Sequence, residues 1–302
     1  RDQIAHGADW VKVYADYRWG PRGEAMPTFS ETELRAMVET ARSSGRPVVA
    51  HSVTPEGMRR AILAGVEGIE HGDDGTPEVF ALMKEHGACF GPTLAAGDAT
   101  SQYAGWKKGI DAEPANITHK RRTFRMALDA GVAICNGSDV GVFTHGDNAR
   151  ELELLVNYGM TPVGALKAAT SVIATAMHQG DRVGSVKAGL IADLIAVDGD
   201  PAKDITRTRA ANAILRCERS ESSGITQLLH SRRDRRPCQA EGPRDGTDTA
   251  VPKRTSLCGR PQSAHLLVHH IAQRFILLGD SGFVIIHPAM LSSSMSLVKV
   301  IC

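Results

Sequence analysis

From residue 10 to about residue 180, short apolar runs alternate with longer segments whose apolar positions recur every three to four residues. That alternation predicts parallel strands joined by crossover helices. The runs are WVKVYA (10–15), PVVAHS (47–52), VEGIEHG (66–72), CFGPTL (89–94) and VAICNGSD (132–139), five candidate strands. Between them, SETELRAMVETARSSG (30–45) carries a capping-box pattern at Ser30 and Glu33, an apolar face of Leu34, Met37, Val38 and Ala41, and Gly45 for the C′ position. Segments starting at Thr54-Pro55, Thr76-Pro77 and Thr161-Pro162 each pair an N-cap threonine with a proline at the first helical position. Helices are also expected over ITHKRRTFRMALDAG (117–131) and DNARELELLVNYG (147–159), while residues 97–113 read as a polar connection.

Polar residues placed on the apolar runs decide between an open doubly wound sheet and a barrel. Lys12, His51, His71 and Asp139 each lie within or at the C-terminal end of a different run, where barrel enzymes carry their chemistry. No GxGxxG follows the first strand and no GxxxxGK[ST] occurs. Imidazoles and a carboxylate suit a divalent metal such as zinc. The lysine ammonium would repel a cation unless its charge is removed, as carbamylation by carbon dioxide would do. Read singly, His51 or His71 fits a core histidine bonded to a backbone carbonyl, and Asp139 fits a loop carboxylate.

Taken in order, ADWVKVYA, VVAHS, GIEHG and NGSD resemble strands four, five, six and eight of the amidohydrolase superfamily. HGDNARELELLVNYGMTPVGALKAAT is similar to the subgroup of imidazolonepropionase-like enzymes, Xaa-Pro dipeptidases and arginine or lysine carboxypeptidases. GSVKAGLIADLIAVDGDP resembles the turn into that family's small β-sandwich. The resemblance implies an α/β fold, a (β/α)8 TIM barrel of the metal-dependent hydrolase type, incomplete here (about strands 4 to 8), with part of the β-sandwich. Its expected divisions are a barrel portion over 1–180, a sandwich remnant over 181–215 and an atypical tail over 216–302, disordered or read out of frame.

What the resemblance implies about chemistry is a hydrolase cleaving a C–N bond of an amide, cyclic amide or peptide-like small molecule. Two zinc-like ions would be held in a complete barrel by a carboxylated Lys12, by His51 and His71, and by Asp139. Asp139 would also shuttle the proton from a metal-activated hydroxide to the leaving amine. Tyr14 and His145 are candidate substrate contacts. Tyr14, Asp16, Tyr17 and Arg18 follow the Lys12 strand and read otherwise as ordinary loop residues. The family's first strand carries a His-x-His pair that this chain lacks, and Val53 stands where dipeptidase-like members often place a tyrosine. Two alternatives stay open: a catalytically silent, incomplete amidohydrolase segment, and a barrel lyase using Lys12 as a Schiff-base amine.

Composition narrows the rest. Thirty-five Lys and Arg against 34 Asp and Glu leave a net charge of +1, which gives no reason to expect nucleic acid or an anionic membrane. No uninterrupted apolar stretch long enough to span a bilayer occurs. The six cysteines show no CxxC pairing, and Cys135 reads as a packing residue. His265 and His269 lack the Glu of HExxH, and the basic positions over 107–122 read as a solvated helix face. The chain starts without Met, so its compartment is left open; a homo-oligomer is compatible with the chain.

Overall fold

The computed structural model describes residues 1–191, 193–216, 227–229, 284–286 and 298–301. Four strands, β1 (Val11–Tyr14), β2 (Val48–Ser52), β3 (Gly68–His71) and β4 (Cys89–Gly91), form one parallel sheet in that spatial order. Sequential neighbours pair throughout, so each crossover helix returns the chain by one strand. The register aligns Tyr14 with His51, His51 with Glu70, and Ser52 with His71.

The helices follow their sequence signals. α1 (Glu31–Arg42) begins with the expected capping box: the Glu33 N–H donates to Ser30 Oγ at 3.3 Å and the Ser30 N–H to Glu33 at 2.8 Å. α2 (Pro55–Ala64) and α3 (Pro77–His86) start on Thr54 and Thr76 and end at Gly65 and Gly87 in the left-handed conformation. Leu34, Val38, Met58, Ile62, Phe80 and Met83 are buried against the sheet's outer face, with Phe80 and Phe90 ring centroids 5.3 Å apart. Burying each such side chain contributes about 1.5–3 kcal/mol.

Three expectations need correction. The polar reading of 97–113 misses α4 (Leu94–Tyr103), whose Ala-rich first turn is buried. The fifth apolar run forms no strand: it pairs through a single bridge, Phe90 with Ile134, before the Asn136 N–H turns away to the Ala168 carbonyl at 3.1 Å. Ala168 opens a π-helical turn, Ala168–Val172, within the final helical segment. The face around α5 (Ala115–Ala130) is not wholly solvated, because Lys120 is only 8% exposed. α6 (Ala149–Asn157) and α7 (Pro162–Lys167) follow.

A second sheet is antiparallel and five-stranded. It orders as β8 (Val284–Ile286), β9 (Val298–Ile301), β5 (Leu194–Asp198), β6 (Ala211–Arg216) and β7 (Gln227–Leu229). Three short segments of the tail are therefore strands; His265 and His269 lie outside the described residues. Among the described residues no helix is long and apolar enough to cross a membrane.

Candidate active site

In a parallel sheet, residues in register point to the same face and successive residues to opposite faces. Tyr14, His51 and Glu70 therefore share the face away from the helices, while Ser52 and His71 belong by alternation to the covered face. His71 breaks that rule. Its φ of 76° is left-handed, and its ring lies 4.5 Å from the His51 ring at an interplanar angle of 62°. Such a backbone costs a non-glycine residue about 1–3 kcal/mol and persists only where surrounding contacts over-determine it.

Those contacts are visible. The His71 carbonyl accepts from Lys120 Nζ at 2.6 Å, and Lys120 also pairs with Asp73. The Gly72 N–H donates to the Ser52 carbonyl at 2.8 Å, and Thr123 Oγ1 donates to the Asp73 carbonyl at 2.9 Å. Gly72 has a φ of 54°, and a Cβ there would meet Phe90 Cε2 at 2.5 Å, so only glycine fits. Burial would raise the Asp73 carboxyl, but the adjacent Lys120 charge and hydrogen bond outweigh it and hold it below the usual range.

The histidine pair is kept neutral. Burial, reinforced by the neighbouring His51 and Lys120, pushes the His71 imidazole down to about 3. Burial also lowers His51, with the Asp16 carboxylate opposing it. His71 Nδ1 lies 2.8 Å from Thr93 Oγ1, whose own proton goes to the Pro92 carbonyl at 2.8 Å. Thr93 Oγ1 must then accept, so Nδ1 carries the proton and the Nε2 lone pair is left for a ligand.

Around this pair, Tyr14 stacks on His51 with centroids 4.4 Å apart, and Tyr17 lies 6.1 Å away. Lys12 forms an ion pair with Glu70 across the sheet. Asp139 follows the Phe90–Ile134 bridge at the same end of the sheet; it is exposed, with a φ of 54° and its carbonyl accepting from the Val142 N–H at 3.2 Å. His145 is exposed in the loop beyond it. The structure thus gathers Lys12, Tyr14, His51 and His71, and sets Asp139 and His145 on a separate loop. Two neutral, facing imidazoles fit a divalent cation; Lys12 fits only once its positive charge is removed. Among the described residues no group of three or more His, Cys, Asp or Glu side chains converges as a metal cluster.

The amidohydrolase family profile matches residues 1–224, which include every residue of this arrangement. The chain belongs to the amidohydrolase family. This amidohydrolase is 32% identical over 216 residues to an ochratoxinase of Aspergillus niger, covering 68% of the chain and 44% of that enzyme. It is 32% identical over 176 residues to an uncharacterised protein of Mycobacterium tuberculosis, covering 56% of the chain and 47% of that protein. A solved Xaa-Pro dipeptidase with methionine bound in its active site superposes with a TM-score of 0.64 at 33% identity, covering 72% of this chain and 55% of that one. The chain spans about half the length of the curated relatives it matches. The family's hydrolases and this similarity give a TIM-barrel-like α/β fold and hydrolysis of C–N bonds as the family's activity.

Several residues of this amidohydrolase site escaped sequence reasoning. Glu70 stands beside His71 in GIEHG, and strand register alone would have put it on the His51 face. Asp16 is no ordinary loop residue: fully buried, it accepts from Ser52 Oγ at 2.6 Å, Thr54 Oγ1 at 2.7 Å, the Thr54 N–H at 2.8 Å and the Val53 N–H at 2.9 Å. It therefore clamps the end of the His51 strand to the start of α2, where an anion is favoured. A Cβ at Gly57 would come within 2.2 Å of Asp16 Oδ2, so that glycine makes room for the clamp. Lys120 and Thr93 carried no local signal.

Proposed function

We propose that the chain contributes the metal-holding part of a hydrolase that cleaves a C–N bond of a small amide or dipeptide-like substrate. The observation that carries this reading is the His51–His71 pair, rings 4.5 Å apart with the His71 Nδ1 proton committed to Thr93, in a chain of this family. His51, His71, Lys12 as its carbamate and Asp139 are the residues that would hold divalent metal, with zinc the expected ion. Such an ion supplies Lewis acidity that polarises a scissile carbonyl and acidifies water.

The chain's own groups do the rest. Tyr14 and Tyr17, exposed beside His51, form an aromatic wall for an apolar side chain of the substrate. Asp139 takes a proton from the attacking water and returns it to the departing amine, which leaves as a neutral molecule. His145, on the Asp139 loop, meets the substrate from above.

Metal analysis of the intact, folded protein, combined with hydrolysis of a panel of N-acyl amino acids and Xaa-Pro dipeptides with and without chelator, tests this reading. Bound zinc and chelator-sensitive release of free amine are expected; no bound metal together with chelator-indifferent turnover would contradict it. Asp139→Asn should abolish turnover while leaving the melting transition nearly unchanged, and a full rate in that variant removes its assigned role. The lack of a three-residue metal cluster among the described residues favours a second reading, a catalytically silent segment, which predicts folded protein without turnover on any of these substrates.

A further inference from the structure

Among the described residues, four helices start on a Ser or Thr whose hydroxyl oxygen caps its own first turn: Ser30, Thr54, Thr76 and Thr161, all with extended backbone. Thr93, at the start of α4, departs from this pattern. Its backbone is left-handed with a φ of 49°, and its side chain makes no cap to its own helix. The hydroxyl is turned instead between His71 Nδ1 and the Pro92 carbonyl. The Ala96 N–H, equivalent to the amide that each of those four hydroxyls caps, goes to the Thr93 carbonyl at 3.2 Å, and the two amides before it are taken by a carboxylate 56 and 57 residues further along the chain. Glu151 of α6, fully buried, accepts from the Leu94 N–H at 2.9 Å and from the Ala95 N–H at 2.7 Å.

We infer that Glu151 is a positioning residue for His71, acting through Thr93. By holding the Leu94 and Ala95 amides, it fixes the start of α4 with Thr93 in its left-handed conformation, where the hydroxyl accepts the Nδ1 proton and leaves Nε2 as the ligating nitrogen. An extended Thr93 like the other four caps would turn its hydroxyl toward its own helix and away from the imidazole, so the anchor that holds α4 at its first two amides also sets where this hydroxyl points. A carboxylate with two acceptor oxygens satisfies both amides at once, and its burial between α4 and α6 fixes the height of Thr93 beneath His71. The inference rests on His71 serving as a metal ligand, yet its first readout needs no metal and no turnover.

The test is the tautomer of His71 in metal-free protein, read from the ring nitrogen shifts in 15N-labelled samples, followed by zinc affinity from competition with a chromogenic chelator. Wild type should show Nδ1–H. Glu151→Gln, which keeps the volume but replaces one acceptor by a donor, and Glu151→Ala should both bring in the Nε2–H form and weaken zinc binding about 10- to 100-fold. Thr93→Val, with Glu151 intact, should do the same, and Thr93→Ser should restore the wild-type tautomer. A purely structural Glu151 would lower the melting temperature and leave the tautomer unmoved, which overturns the assignment. Failure of both Glu151 variants to fold also overturns it, since the carboxylate then holds the fold rather than the histidine. A shifted tautomer in a protein that hydrolyses none of the amides keeps the positioning role and removes the proposed activity.

Discussion

Asp16→Asn is the sharpest probe of how the His51 strand end is held. The wild-type carboxylate receives Ser52 Oγ, Thr54 Oγ1 and the Thr54 N–H on Oδ2, and the Val53 N–H is shared between Oδ1 at 2.9 Å and Oδ2 at 3.1 Å. With three donors on Oδ2, the asparagine oxygen takes that position and its NH2 group faces the Val53 N–H. The Val53 N–H then keeps only its longer bond to the oxygen, at a loss of about 1 kcal/mol, and three charge-assisted bonds become neutral ones, at roughly 0.5 kcal/mol each. Loss of the anion at the start of α2 adds about 0.5 kcal/mol. The expected destabilisation is about 3 kcal/mol, a large share of a domain's net stability of about 5–15 kcal/mol. Urea unfolding followed by circular dichroism measures it, with Ser52→Ala as the small reference at about 1 kcal/mol. In the same variant His51 should titrate lower still, because the one carboxylate that most strongly opposes its burial is gone. A loss below about 1 kcal/mol with an unmoved His51 titration would refute the clamp.

Gly72→Ala should destabilise by about 2–4 kcal/mol, from the left-handed backbone and the collision with the buried Phe90 ring, and an unchanged urea midpoint would show that the turn relaxes freely. Stability should peak between two opposed titrations. His71 is held near 3 against 6.5 in the unfolded chain, so its contribution is complete above about pH 6.5 and is lost as pH falls toward 3. Glu151 runs the other way: burial raises it from 4.5 to about 7, so its contribution is complete below pH 4.5 and is lost as pH rises through 7, at a cost of about 3 kcal/mol. Glu151→Gln should flatten the alkaline limb and spare the acid one, and an unaltered limb in a folded variant contradicts the titration.

What the sequence determined by itself was the local grammar. Caps such as Ser30 with Glu33, and Thr54 with Pro55, act within one helical turn, so they are legible wherever they occur and the helices form where they point. Period and alternation likewise located β1 to β4, and the order of Lys12, His51, His71 and Asp139 along those runs carried the family resemblance that the profile match bears out. Tertiary structure decided the orientation of the chemistry. Alternation predicts His71 on the covered face; tertiary contacts, among them Lys120 from α5 hydrogen-bonded to its carbonyl and the close approach of Phe90 to Gly72, hold the left-handed turn that brings it beside His51. The fifth apolar run has strand composition, yet the Ala168 carbonyl takes the Asn136 N–H and interrupts its ladder. Asp16, Lys120 and Glu151 resemble surface residues in sequence because the hydrogen-bond partners that keep them buried lie 36 to 57 positions away in the chain. A charged group goes into a core only when such partners meet it there, and that meeting is a property of the folded chain.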